Sequence, residues 1–232
     1  MDNLKNNFFL IIKPNLFAFH IVSADRKILY NKEVSYNELN LEDNFDLLKK
    51  FLDNNIFESE KRFSSFIEDV NLIIEDKNFI SIDLSLIKDF KNVAENFDNI
   101  SNDLSIIKKN VMQSNIDTQL VHMLINKFII DKKEYLELPK DIDNKKFFVQ
   151  MRLICIKKKI LLNLKKILAI YQISIKKIFS YEYVNSFITD GSDQISVVAN
   201  KLAKGMNKNE ISFMEKNSKN IGFFEKFFKF FS

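Results

Sequence analysis

"FFLIIKPNLFAFHIVSADRKILYNKEVSY", residues 8–36, is the stretch on which the fold turns. Two apolar runs rich in β-branched and aromatic residues, "FFLIIKPNLFAFHIV" and "KILYNKEVSY", flank the turn-like "SADR", which reads as a β-hairpin. Proline donates no backbone hydrogen bond to a sheet, so Pro14 marks the edge or the start of the first strand. From Leu41 the period lengthens. Phe45, Leu48, Phe51 and Leu52, then Phe63, Phe66 and Ile67, recur at helical spacing.

Working outward, "VNLIIEDKNFISIDLSL" returns to strand character with "EDKN" as a connecting turn, and "DNISNDLSIIKKNVMQSN" is a short amphipathic helix. A strand-like "QLVHMLINKFIID", a polar connection "KKEYLELPKDIDNKK" and a clear strand "FFVQMRLICI" follow. The next segment places Ile160, Leu164, Ile167, Leu168 and Tyr171 on one helical face, and "SIKKIFSYEYVNSFI" adds a short strand and turn. Interleaved helices and strands predict an α/β or α+β architecture. From Asp190 to Lys219 the pattern weakens to one or two small elements and a linker.

Composition narrows the chemistry. Hydrophobic residues make up 46% and charged residues 28% of the 232 residues, which is the balance of a folded chain. Three glycines leave little material for phosphate-cradling loops. A lone cysteine, Cys155, forms no internal disulfide or thiolate cluster and fits a reducing compartment; flanked by strand apolars, it reads as buried and inert. No apolar run reaches the length of a bilayer span, and the start lacks the pattern of a signal peptide, so the expected location is cytoplasmic. His20 and His122 belong to no metal-ligand spacing, and His122 in "LVHML" reads as a packed or surface residue. Asp25 and Asp83 are conceivable metal carboxylates, although turn aspartates more often cap amides. There is no P-loop, dinucleotide fingerprint or nucleophile elbow, and the expectation is a protein that is not an enzyme, with no cofactor, metal or small-molecule substrate.

Two features suggest a surface-binding role. Residues 145–178 carry nine lysines, one arginine and no acid. Among them Lys157, Lys158, Lys159, Lys165 and Lys166 are candidate contacts for an anionic surface; a solvated face is the plainer reading, and nucleic acid is the weakest because no aromatic stacking platform accompanies the charge. Then comes "IGFFEKFFKFFS", residues 221–232. As a helix it puts Phe223, Phe227 and Phe230 in one row and Phe224, Phe228 and Phe231 in the next, with Lys226 and Lys229 largely opposite. Such a face fits a bilayer surface with snorkelling lysines, the protein's own core, or a partner's groove.

"VHMLINKFIIDKKEYLELPKDI" (121–142) and "MRLICIKKKILLNLKKILAIYQISIKKIFSYEYVNSF" (151–187) resemble the inserted subdomain of the bacterial actin-like cell-division protein FtsA. The points of likeness are a histidine-containing strand running into "KFIID", a Pro-containing connection, a strand, a helix carrying Asn163, and "YQISIKKI". "NLFAFHIVSADRKILYNKEV" is similar to the first actin-fold hairpin and "FDLLKKFLDNNIFESEKRF" to the helix after it.

The resemblance implies a partial actin-like (ribonuclease H-like) subdomain from 8–84 and 179–199, an inserted small α/β subdomain at 85–178, a polar linker at 200–221 and a membrane-targeting amphipathic helix at 222–232. It implies a non-catalytic scaffold in cell division at the cytoplasmic face of the inner membrane, with FtsZ or a full-length FtsA homologue as partner. If the tail docks on the body, the place is the cytoplasm. A pilus-assembly or secretion adapter and a basic nucleic-acid binder are the alternatives. The family's phosphate turn corresponds in this reading to "HIVSAD", with His20 in place of the aspartate and Val22 in place of glycine, a poor cradle. On this reading the 232 residues are expected to hold no second lobe to enclose ATP.

Overall fold

The computed structural model describes residues 6–37, 44–89, 93–137, 139, 146–189, 191 and 193–211. It divides into two compact units. One joins the chain up to Phe79 with Ile156–Met206, and the other joins Ile80–Cys155 with the residues from Asn207 onward.

The first unit is built on a five-stranded sheet. Its strands are β1 (Asn7–Lys13), β2 (Leu16–Val22), β3 (Ile28–Ser35), β4 (Asp69–Ile74) and β9 (Ser174–Ser180), in the order β3-β2-β1-β4-β9. The first three form an antiparallel meander, and β4 and β9 continue parallel to β1. That order with those directions is the ribonuclease H-like core expected from the sequence. Pro14 is not at a strand edge or start. With Asn15 it forms the turn between β1 and β2, where Lys13 pairs with Leu16. A missing N–H costs nothing in a two-residue turn, so one apparent strand is two.

Helices cover both faces of this sheet. On β2, Phe17 meets Phe51 of α1 (Phe45–Phe63), while His20 meets Ser196 of α5 (Ile195–Ala203). Odd and even residues of a strand face opposite ways, so α1 and α5 lie on opposite sides. This explains why β1 and β2 read as continuous apolar runs rather than alternating ones. α3 (Lys158–Ile170) buries Ile160, Leu161, Leu164 and Leu168, and Tyr171 beyond its end donates a 2.6 Å hydrogen bond to Asp53 of α1. Burial, then Asp53, push the Tyr171 hydroxyl well above its ordinary pKa, and that same bond is the main cause holding Asp53 low.

The second unit has a four-stranded sheet in the order β5-β8-β6-β7, from β5 (Phe79–Asp89), β6 (Thr118–Ile130), β7 (Lys133–Tyr135) and β8 (Lys146–Lys157). β8 alternates: Phe147, Val149, Met151 and Leu153 are buried, with Leu104, Ile107 and Val111 of α2 (Val93–Ser114) in the same core. Its outer face carries Arg152, paired through two bonds of 2.7 and 3.0 Å with Asp83 of β5.

Several sequence expectations change. β9 and α3 belong to the first unit, so the division falls at 79/80 and 155/156 rather than at 84/85 and 178/179; hydrogen bonding to β4 decides it. β7 stands inside the expected polar connection, because Asp131 and Lys132 adopt positive φ (50° and 66°), as a two-residue hairpin turn requires. α1 ends at Phe63, leaving Phe66 exposed. The expected linker from 200 begins inside α5, whose Val198, Ala199 and Leu202 are buried. Gly205, at φ +86°, ends that helix, and Met206 N–H returns to the Lys201 carbonyl at 3.1 Å.

Candidate functional site

In open α/β sheets, ligands bind outside the carboxyl ends of the parallel strands. Here those ends are Lys13 on β1, Glu75 after β4, and Tyr181 after β9, where α4 (Tyr181–Asn185) begins. The three side chains close on one another. Lys13 Nζ lies 3.3 Å from Glu75 Oε2 and 4.4 Å from the centroid of the Tyr181 ring. Burial alone would lower Lys13, but Glu75 and Tyr181 outweigh it and hold the ammonium above its ordinary pKa. The Glu75 N–H also donates to the Ile12 carbonyl at 2.8 Å, stitching β4 to β1 at this edge.

The result is a neutralised cation–carboxylate pair under an aromatic ring. The turn of the first hairpin is Pro14–Asn15, and the "HIV" of "HIVSAD" lies within β2. Pro14 lacks an amide to offer a phosphate. Two acids follow β4 at this edge: Glu75, whose charge Lys13 matches, and Asp76, whose Oδ1 accepts from the Asn78 backbone and side-chain amides at 2.6 Å. Sequence reasoning missed all three residues. The signal available was that each stands where an apolar strand run stops.

His20 lies inside β2 and faces Asn31 across β3. Its Nδ1 shares a 2.9 Å hydrogen bond with Ser196 Oγ, and both residues are buried. Desolvation, opposed by a weaker hydrogen bond to Asn31, lowers His20 to a pKa of about 4. Closed off from solvent, the pair is packing rather than a nucleophile and base. Nearby, a shallow cleft of about 530 Å³ is lined by Arg26, Lys27, Ile28, Asn31, Asp193, Gln194 and Val197. Two cations face an aspartate that Lys201 approaches at 3.9 Å, so its charge is mixed.

The remaining sequence candidates disperse. Asp25 is exposed in the β2–β3 turn. Asp83 is taken by Arg152, whose hydrogen bonds are the main cause holding its carboxyl below the usual range. Among the described residues, no three His, Cys, Asp or Glu side chains gather as a metal site. Cys155 is buried, and burial raises its thiol pKa. His122, also buried, donates from Nδ1 to Glu210 Oε1 at 2.8 Å. Lys157, Lys158, Lys159, Lys165 and Lys166 are all exposed, around the start and the middle of α3, and Asn163 is half-buried on the same helix. Phe223, Phe224, Lys226, Phe227, Phe228, Lys229, Phe230 and Phe231 lie outside the described residues. No helix among the described residues is long and apolar enough to cross a membrane.

No family model matches the sequence, and no curated protein matches it. Among solved structures, the chain is similar to the cytoplasmic domain of EpsL, an inner-membrane component of the Vibrio cholerae type II secretion system. That match has 9% identity and a TM-score of 0.39 over 76% of this chain and 56% of that one. It is similar to the PilM–PilN type IV pilus biogenesis complex at 8% identity and a TM-score of 0.46, over 79% and 50% of the two chains. A Bacteroides thetaiotaomicron protein with an actin-like ATPase fold matches at 15% identity and a TM-score of 0.32, over 81% and 58%. The chain thus spans between 50% and 58% of the length of these structures.

Proposed function

We propose that this chain is a non-catalytic adapter: an actin-type body held at the cytoplasmic face of a bacterial inner membrane, working through protein contact. The observation that supports it is the closure of Lys13, Glu75 and Tyr181 at the carboxyl ends of β1, β4 and β9. Nucleotide chemistry at that edge needs turn amides for phosphates and unpaired carboxylates for a divalent cation. Pro14 withholds an amide, Lys13 pairs with Glu75, and Asp76 turns to the Asn78 amides.

Attachment rests on the sequence of the tail. Each buried phenylalanine contributes roughly 1.5–3 kcal/mol at most, and ordering the helix offsets much of it. One copy therefore binds weakly and reversibly, and several copies together bind tightly. Co-sedimentation with vesicles rich in anionic phospholipid, comparing the intact chain with one ending at Asn220, tests this. The intact chain is expected to pellet and the shortened one to stay in solution. Equal pelleting overturns the membrane role and leaves a cytoplasmic adapter.

The sequence resemblance points to a division ring as the setting, with FtsZ or a full-length FtsA homologue as the partner. Pilus assembly and secretion, the settings of PilM–PilN and of EpsL, form the second reading. Saturable binding to purified FtsZ or FtsA supports the first, and its absence from both removes it. A nucleic-acid role would show affinity falling steeply with salt and indifferent to loss of residues 222–232.

A further inference from the structure

Besides β8, strand β6 serves two neighbours along its length. Phe128–Ile130 pair with β7, which a two-residue turn holds in place. Farther back, Leu124 pairs with Glu210, in a segment arriving from the end of α5, far away in sequence. Ile125 N–H donates to the Asn209 carbonyl at 2.9 Å, and Ile211 N–H donates to the Met123 carbonyl at 2.8 Å. Asn209 Nδ2 adds a 3.1 Å bond to the Leu136 carbonyl, and Ile211 packs against the core of the second unit. No short turn keeps this segment beside β6, so its own contacts must hold it.

The deepest of those contacts is polar. His122 is 0% and Glu210 7% exposed, and the imidazole Nδ1–H donates to the carboxylate at 2.8 Å. A carboxylate taken out of water is held by its hydrogen bonds, and losing the one to His122 weakens that hold. This makes one side chain the lock of a short strand.

We propose that Asn207–Ile211 is a strap that opens separately from the rest of the second unit, with the His122–Glu210 pair as its lock. Closed, it covers the Met123–Ile125 edge of β6. Open, it bares that edge to a replacement strand, whose acid would take the place of Glu210 beside His122. The strap acts whether or not the tail binds lipid, so it stands apart from the adapter reading.

Native-state hydrogen exchange on the full chain tests it, comparing the amides of Ile125 and Ile211 with those of Val149 and Met151 in β8. The strap amides are expected to exchange at least about 10-fold faster than the β8 amides. Glu210→Gln keeps shape but removes charge, and is expected to speed the strap amides about 10-fold; Glu210→Ala is expected to speed them about 100-fold. The β8 amides should hold their rates in the Gln variant, which reports that the unit remains folded. Equal rates for strap and β8 in the unaltered chain would overturn the proposal, because the segment would then open only with the whole unit. A Gln variant indistinguishable from the unaltered chain would overturn the lock.

Discussion

The two sheets bury their strands differently. In the first unit, helices on both faces leave β1 and β2 almost wholly buried, and polar residues within them must be satisfied inside. His20 therefore turns to Ser196, and Asn71 of β4 donates from its side chain to the Phe8 carbonyl at 3.2 Å. In the second unit, β8 alternates between a core face and an outer face from Lys146 to Leu153, and the Asp83–Arg152 pair sits exposed on the latter. Strands covered on both sides have nowhere to put a charge, whereas a face open to solvent holds one at little cost or gain.

Substitutions sharpen that contrast. The largest effect is expected at Phe9, fully buried in the middle of β1. Phe9→Ala should cost about 3–5 kcal/mol, read from denaturant unfolding. A cost below about 1 kcal/mol would mean that the face to which Phe9 points is not covered.

Next is the pH response of His20. Its folded pKa of about 4 lies below the ordinary histidine value of 6.5. Between those limits the unfolded chain binds a proton that the folded chain refuses. Stability should therefore fall as pH drops from about 6.5 to 4, by up to about 3 kcal/mol from this residue. His20→Gln should flatten that part of the profile. An unchanged slope would place the ring in contact with water.

The smallest effect is expected on the open face. Asp83→Asn should change stability by under about 1 kcal/mol, in a salt-dependent way, because the pair is exposed. A loss of several kcal/mol would show that this face is covered, and the contrast between the two sheets would break.

Much of the architecture was readable from residue patterns. The apolar runs of β2, β6 and β8 and the helical spacing in α1 and α3 come from periodicity alone, since burial imposes it. Pro14 misled because proline is compatible with both a strand edge and a turn, and the apolar residues on either side concealed the reversal. α5 was obscured by Ser196 and Asn200, polar residues that are buried. Their presence made a core helix look like a surface one. β7 was hidden because Asp131 and Lys132 form its turn without glycine or asparagine.

The candidate site was less legible. Lys13, Glu75 and Tyr181 come from three separate stretches, and only the parallel pairing of β1, β4 and β9 brings their ends together. Glu210 and His122 meet in the same way, through strand pairing between distant segments. Local pattern identifies strands, but it does not say which strand ends meet. A histidine in an apolar strand gives no hint of the acid that will face it.

The account stands most directly on whether the carboxyl edge of the first sheet is closed to nucleotide. Equilibrium titration of the full chain with Mg–ATP decides this. The closure of Lys13 on Glu75 and Tyr181 predicts no saturable binding up to millimolar nucleotide. Saturable binding at micromolar concentration, abolished by Glu75→Ala, would contradict the adapter reading and make this edge a working nucleotide site.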